Sequence, residues 1–599
     1  MKTSLWLTAL GILAGTSAAL PVHAATRSKS APLSCDGSIA ANFKPNTQTK
    51  VLLVKSFKKG DPFPNMPVDQ RFDPSAPPTM ATADLCLVKL LVGPGNAGPA
   101  GAPSTSAGIG IEVWLPVKSA WNGRVHAIGG AGWGGTEEAD PAKISSYTLS
   151  NDLSSAPFVA GQEGAVTATT DTGHSGGVGS GAFAMNPDGS INKALLTDYA
   201  SRAIHQQVVM AKALAKAYYG VAPKYTYWDG LSSGGRQALK QAQRYPQDFD
   251  GIISLVPAVN LTKLAIADVY PQIVIQRDLG GRYMTADQLN MVSNAAIGAC
   301  DVVDGKHMGF ILDNAACRYD PTKDKAVLCA ADGGDNKTAA CVTRKQALAI
   351  NKFWYGMTID GSVPDPAVDN GVGPLTGKRK YYGLPRGTNL LVLAGGAPFA
   401  IGTDMVALAM QNPTIAQPSF HNAKANGADG WKALSYAQLA QAFDAGIALS
   451  PQIGELNTDD PDLTAFKARG GKLIHVQAIN DEMVPYLGSV DYHERVLAKM
   501  GGQKGIGSFY RFYLIPGMAH GSRNGTTNPD ANPPLIRPHQ GELYALLTGW
   551  VEKGVAPADV VLKSLGDTPV GKSLPMCEYP TKVTHVGGDI NQAGSFACR

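Results

Sequence analysis

Beyond the first two dozen positions no apolar run approaches the roughly 20 residues needed to span a bilayer, so no membrane-spanning helix is expected. Charge of one sign is also lacking. With 52 basic and 48 acidic residues the chain carries only +4 over 599 residues, too little to imply a nucleic-acid or membrane-surface partner. No basic tract is interleaved with aromatics, so nucleic-acid binding has no support. The eight cysteines include no Cys-x-x-Cys pair, which argues against a zinc site or redox motif. The glycine-rich loop at 129–135 is not followed by Lys-Ser/Thr and opens no clear helix, which argues against a phosphate cradle.

What is present starts with an export signal. Lys2, an apolar stretch over 5–20 and the small-residue site Val22-His23-Ala24 predict a signal peptide over residues 1–24. The mature protein is therefore expected to be secreted or periplasmic, and soluble. An even number of cysteines in an oxidising compartment favours disulfides. The short intervals 300/317, 329/341 and 577/598 suggest neighbours pairing and leave Cys35 with Cys86, although spacing alone does not settle connectivity.

Residues 25–80 show little periodicity and read as an arm laid over the main domain. Strand-like runs follow at 86–92, 109–115, 125–128 and 165–170, then a helical pattern over 197–219 with Ile204, Val208, Ala211 and Ala215 at helical spacing. A run at 224–228 leads into Gly230-Leu231-Ser232-Ser233-Gly234, and a helical run follows. This is the Gly-x-Ser-x-Gly pattern of a nucleophile elbow, a turn tight enough to leave the middle serine exposed above a sheet. Strand alternating with helix predicts a mostly parallel, doubly wound sheet, and the elbow in it points to the α/β-hydrolase fold. The rhythm breaks from 257 to 470, a segment too long for a loop and read as an inserted lid domain. It resumes at 471–599, with strands at 472–480 and 509–515 and a helix over 541–553. The hydrolase domain thus comprises 25–256 and 471–599.

A serine hydroxyl needs a base to take its proton, and the base needs a carboxylate to fix its tautomer. Asp481 and His520 lie just past two late strands, in the Ser-acid-His order this fold requires. They are the expected acid and base for Ser232. His174 precedes the serine and is read as structural; His475 and His493 lie inside a strand and a helix. The backbone N–H groups of Ser233 and Gly132 are expected to form the oxyanion hole. Such a set hydrolyses carboxylic esters without a cofactor for the chemistry. The same triad would serve an amidase or peptidase. A binding protein for phenolics or sugars on the same fold is disfavoured by the complete Ser/Asp/His set.

Residues 227–239 and 242–253, with Thr170-Asp171-Thr172-Gly173-His174, the 129–135 loop and Pro516-Gly517-Met518-Ala519-His520, resemble the tannase/feruloyl esterase family. The resemblance spans nearly the whole mature chain. It implies an exported α/β hydrolase with a lid, cleaving small aromatic esters of feruloyl, galloyl or terephthaloyl type through Ser232, Asp481 and His520. It also implies disulfides 35–86, 300–317, 329–341 and 577–598.

Two departures stand out. The family carries cysteines directly before the serine and after the histidine; here they are Leu231 and Gly521. The family's structural calcium would fall on Asp301, Asp304 and the carbonyls of Lys306 and Phe310, but Met308 replaces a third aspartate and Lys306 and His307 add positive character. The alternative is a metal-free remnant. Between Arg386 and Arg469 there is no arginine to hold a terephthalate carboxylate, which argues against that particular substrate.

Overall fold

A computed structural model describes residues 32–63, 80–144, 155–422, 426–536, 542–564 and 571–599. The signal-peptide reading lies outside these residues. Nine strands form the main sheet: β1 (Thr49–Phe57), β2 (Leu85–Val92), β3 (Ile109–Pro116), β4 (Arg124–Ile128), β5 (Val166–Thr170), β6 (Tyr225–Leu231), β7 (Gly251–Leu255), β8 (Lys472–Ala478) and β9 (Tyr510–Ile515). Their order is β1-β2-β3-β5-β4-β6-β7-β8-β9. The first four in that order pair antiparallel, and from β5 onward every pair is parallel. This is the mixed, mostly parallel sheet of the α/β-hydrolase class.

Helices cover the sheet as its side chains demand. Successive residues of a strand point to opposite faces. Trp228, Ile252 and Leu473 accordingly join one buried cluster, whereas their neighbours Tyr227, Ile253 and Ile474 join another. The first cluster is closed by α1 (Ala203–Tyr219), α2 (Ser233–Arg244) and α5 (Leu487–Met500), the second by α6 (Glu542–Lys553). Near-continuous apolar strands such as β7, buried at every position, need cover on both faces.

The 25–80 arm differs from expectation, because Thr49–Phe57 is a sheet strand. It pairs antiparallel with β2 and is only partly buried, with lysines among its apolar residues. An edge strand packed on one side needs only a weak apolar pattern, so its periodicity is faint. The helical pattern at 197–219 is also interrupted: Asp198–Arg202 forms a π-helical turn before α1 begins.

Between β7 and β8 the described residues add no strand to the main sheet. It includes α3 (Leu261–Ala267) and α4 (Ala400–Ala409) and a two-stranded hairpin, Val302–Val303 with Lys306–His307. Most of its buried apolar residues form one continuous cluster that also takes in Trp133, Phe183 and Tyr199 from the sheet domain. The inserted segment therefore shares a core with the rest of the protein. Four disulfides, Cys35–Cys86, Cys300–Cys317, Cys329–Cys341 and Cys577–Cys598, tie down the arm, the insertion and the C-terminal tail. No described helix is long and apolar enough to cross a membrane.

Candidate active site

Ser232 sits at the turn between β6 and α2 with φ 63° and ψ −119°. A side chain in this sparsely populated region is held there only by its surroundings. Here the surroundings are tight backbone contacts: the Ser232 N–H donates to the Leu255 carbonyl at 2.9 Å, and its own carbonyl accepts from Arg236 at 2.9 Å. At Gly234 a Cβ would lie 2.8 Å from the Gly130 carbonyl oxygen, so glycine lets the elbow helix press against the 129–135 loop.

Ser232 and His520 line the same cavity, of about 360 Å³, together with Gly132, Ser233, Leu231 and Gly521. The Nδ1 of His520 is 2.7 Å from Oδ2 of Asp481. Asp481 is fully buried, and its Oδ1 also accepts from the N–H groups of Met483 (2.9 Å) and Val484 (2.8 Å). Burial by itself would depress the His520 pKa, but the charge and hydrogen bond of Asp481, with Glu482 behind them, outweigh it and raise the value above the ordinary one. The imidazolium is thus favoured where a proton would arrive. Glu482 accepts the backbone N–H of His520 at 3.0 Å and pairs with Arg523, which also lines the cavity.

The two N–H groups expected to face an oxyanion border this cavity. Ser233 opens α2, where no preceding turn supplies an acceptor for its N–H, and the dipole end adds positive potential. Gly132 has φ 51°, and a Cβ there would clash with the Val178 carbonyl. The phenol of Tyr199 donates to the Gly132 carbonyl at 2.7 Å and lies 3.3 Å from the Ser233 hydroxyl.

The other histidines lie elsewhere. Burial pushes the His174 pKa down to about 3, and its ring stacks on Phe183 with centroids 3.5 Å apart. His475 is buried in β8 against the Tyr510 hydroxyl at 2.8 Å, and burial lowers His493 to about 4. None of the three lines the cavity.

The residues expected to hold calcium do not fit that ion. Both Asp301 oxygens are taken, one by the His307 ring at 2.6 Å and one by the Gly309 N–H at 2.7 Å. Asp304 stands exposed at the hairpin tip with φ 49°, and Met308 and Phe310 are buried in a small apolar cluster. Lys572 adds a further positive charge near Asp301. A histidine and an amide, not converging carboxylates and carbonyls, satisfy this carboxylate. Of the set Asp301, Asp304, Lys306 and Phe310, the Phe310 side chain is thus core, as is Met308 beside it. Among the described residues no group of three or more His, Cys, Asp or Glu gathers to hold a metal.

Several cavity residues escaped the sequence analysis: Asp268 at the end of α3, Phe399 and Ile401 at the start of α4, and Arg523. Tyr199 and Glu482, which act through their neighbours, escaped it as well. Only the spacing 261/264/265/268, one face of a helix, hinted that Asp268 shares a surface with apolar residues.

The family described as "Tannase and feruloyl esterase" matches residues 100–599. A probable feruloyl esterase from Arthroderma benhamiae is 29% identical over 536 residues, covering 88% of each chain. An uncharacterised esterase from Xanthomonas campestris is 29% identical over 522 residues, covering 83% of this chain and 82% of the relative. The crystal structure of feruloyl esterase B from Aspergillus oryzae superposes with a TM-score of 0.70 at 24% identity, covering 94% of this chain and 99% of that one. Tannin acyl hydrolase from Aspergillus niger gives 0.68 at 22%, covering 94% and 95%. With a family match over most of its length and a shared fold, this chain belongs to the tannase and feruloyl esterase family and is a carboxylic ester hydrolase.

Proposed function

We propose that this protein is an exported serine esterase that cleaves small esters of phenolic acids through Ser232, His520 and Asp481. One observation carries the reading: the elbow serine and a histidine hydrogen-bonded to a buried aspartate line one cavity. With Nδ1 held by Asp481, Nε2 is the ring nitrogen left to act as base. The Ser232 oxygen attacks the ester carbonyl as His520 takes its proton. The N–H groups of Ser233 and Gly132 receive the developing oxyanion. The ester C–O bond then breaks, His520 returns the proton to the departing alcohol, and an acyl-Ser232 remains. Water, deprotonated by His520, attacks the acyl group; the acid leaves and the serine is restored.

Four disulfides fit an oxidising compartment and hence the export reading. The inserted segment supplies α3, Phe399 and Ile401 to the cavity and is read as the lid that sets specificity. The feruloyl esterase and tannase names carried by relatives support phenolic esters as the substrate class. Leu231 and Gly521 both border the cavity, so packing takes the place of a covalent link between the two catalytic loops.

The test is hydrolysis of methyl ferulate, methyl gallate and a terephthalate monoester by wild type and Ser232→Ala, with mass spectrometry of the protein after a fluorophosphonate probe. A single adduct on Ser232 and loss of turnover in the variant are expected. Equal rates for the two proteins would remove Ser232 from the mechanism.

A further inference from the structure

Asp268 is 4% exposed and lines the cavity, yet its carboxyl has no hydrogen-bond or ion-pair partner among the described residues. It ends the face of α3 that also presents Leu261, Leu264 and Ala265, a spacing that puts all four side chains on one side of a helix. Phe399, Ile401 and Val484 complete an apolar surround. Asp268 lines the cavity, so the hydrogen bonds of its carboxyl are left to what fills that cavity, water or a bound ligand.

We propose that Asp268 is a specificity-determining residue, the hydrogen-bonding partner of a hydroxyl carried by the substrate's aromatic ring. The inference rests on the esterase reading of the same cavity. Three features favour the neutral form of this carboxyl. Burial comes first and drives its pKa well above the ordinary carboxylate value, and the neighbouring Asp481 adds to it. The residue also caps the C-terminal end of α3, where the helix dipole disfavours an anion. A neutral carboxylic acid offers one O–H donor and a carbonyl acceptor, the complement of a phenol, which is itself both donor and acceptor. A ring without a polar substituent would leave Asp268 unpartnered, so the site discriminates against it.

The experiment compares kcat/KM for methyl 4-hydroxycinnamate, methyl 4-methoxycinnamate, methyl cinnamate and a 4-aminomethyl analogue, in wild type, Asp268→Asn and Asp268→Leu. Each ratio is taken within one protein, so general losses of activity cancel. Wild type is expected to favour the hydroxylated ester over the unsubstituted one by about 10-fold or more. Asp268→Leu should bring that ratio to about 1, and Asp268→Asn, which keeps a donor and an acceptor, should retain part of it. An unchanged ratio in Asp268→Leu overturns the proposal. So does a wild type that does not distinguish hydroxyl from methoxy, a result that needs no variant to fold. Preference for the cationic ester would show an ionised Asp268 pairing with an ammonium and would equally overturn it. Ser232-dependent hydrolysis with flat ratios refutes this inference alone. Hydrolysis of none of the esters, or hydrolysis indifferent to Ser232→Ala, refutes the esterase reading beneath it.

Discussion

The phenol of Tyr199 donates a hydrogen bond to the carbonyl oxygen of Gly132 at 2.7 Å. Because its proton is used there, its oxygen is free to accept from the Ser233 hydroxyl, 3.3 Å away. One side chain therefore ties together the two loops whose N–H groups are read as the oxyanion hole. Tyr199 stands in the π-helical turn Asp198–Arg202, and such turns recur at functional sites because they re-aim a side chain.

Tyr199→Phe keeps the ring among Trp133, Phe183 and Arg236 but removes the link. We expect kcat for a methyl hydroxycinnamate to fall about 10-fold with KM changed less than about threefold, since looser donors penalise the transition state more than the bound ester. Steady-state kinetics checks this, and a rise in KM with kcat intact would show that Tyr199 shapes binding instead.

Asp481→Asn replaces the acceptor of the His520 Nδ1 hydrogen with a group that can present the wrong atoms. The expected loss in kcat is on the order of 10⁴-fold, with the thermal unfolding profile retained. The His520 pKa, followed by the pH dependence of kcat/KM, should fall as well, because the attraction of Asp481 is what overcomes burial. A loss below about 10-fold would assign the orienting carboxylate to another residue.

Asp404 on α4 accepts the Gly181 N–H at 2.8 Å and so joins the inserted segment to the loop carrying Val178 and Gly179. Burial raises its pKa to about 7, with the Gly181 hydrogen bond opposing. A carboxyl whose folded pKa lies above its unfolded value binds its proton more tightly when folded. Its contribution to stability is therefore complete below about pH 4 and is lost as pH rises through about 7. The difference in Tm between wild type and Asp404→Asn should shift in favour of the variant between pH 4 and 8, measured by differential scanning calorimetry. A difference independent of pH would contradict the assignment.

Chelation is expected to change neither Tm nor activity, because the Asp301 carboxylate is already satisfied by His307 and Gly309. Titration calorimetry of the chelator-treated protein with calcium should give no heat. Saturable heat with a rise in Tm would show that the hairpin rearranges around the ion.

Much of the site was legible because its parts are local. The elbow is a contiguous string with a steric reason for each glycine, and Asp481 and His520 each follow a strand whose apolar run is unmistakable. Chain order pointed to His520 over His174, and the latter, buried against Phe183, is a weak base that does not line the cavity. The edge strand Thr49–Phe57 escaped because a half-exposed strand needs few apolar positions. Asp268, Tyr199 and Arg523 escaped because each is an ordinary residue in its own neighbourhood.

What the amino-acid order determined by itself was the alternation of strand and helix, the strained serine turn and the sequence of acid and base after it. These depend on backbone sterics and periodicity, which act over a few residues. Which side chains meet across the cavity was decided by packing alone. A carboxyl from the insertion and an arginine beyond the histidine reach one cavity, and a phenol from a π-turn ties two of its loops, only when a shared core brings distant segments into contact. Burial then gives Asp268 and Asp404 chemistry that no exposed aspartate has, because desolvation depends on neighbours in space and not on neighbours along the chain.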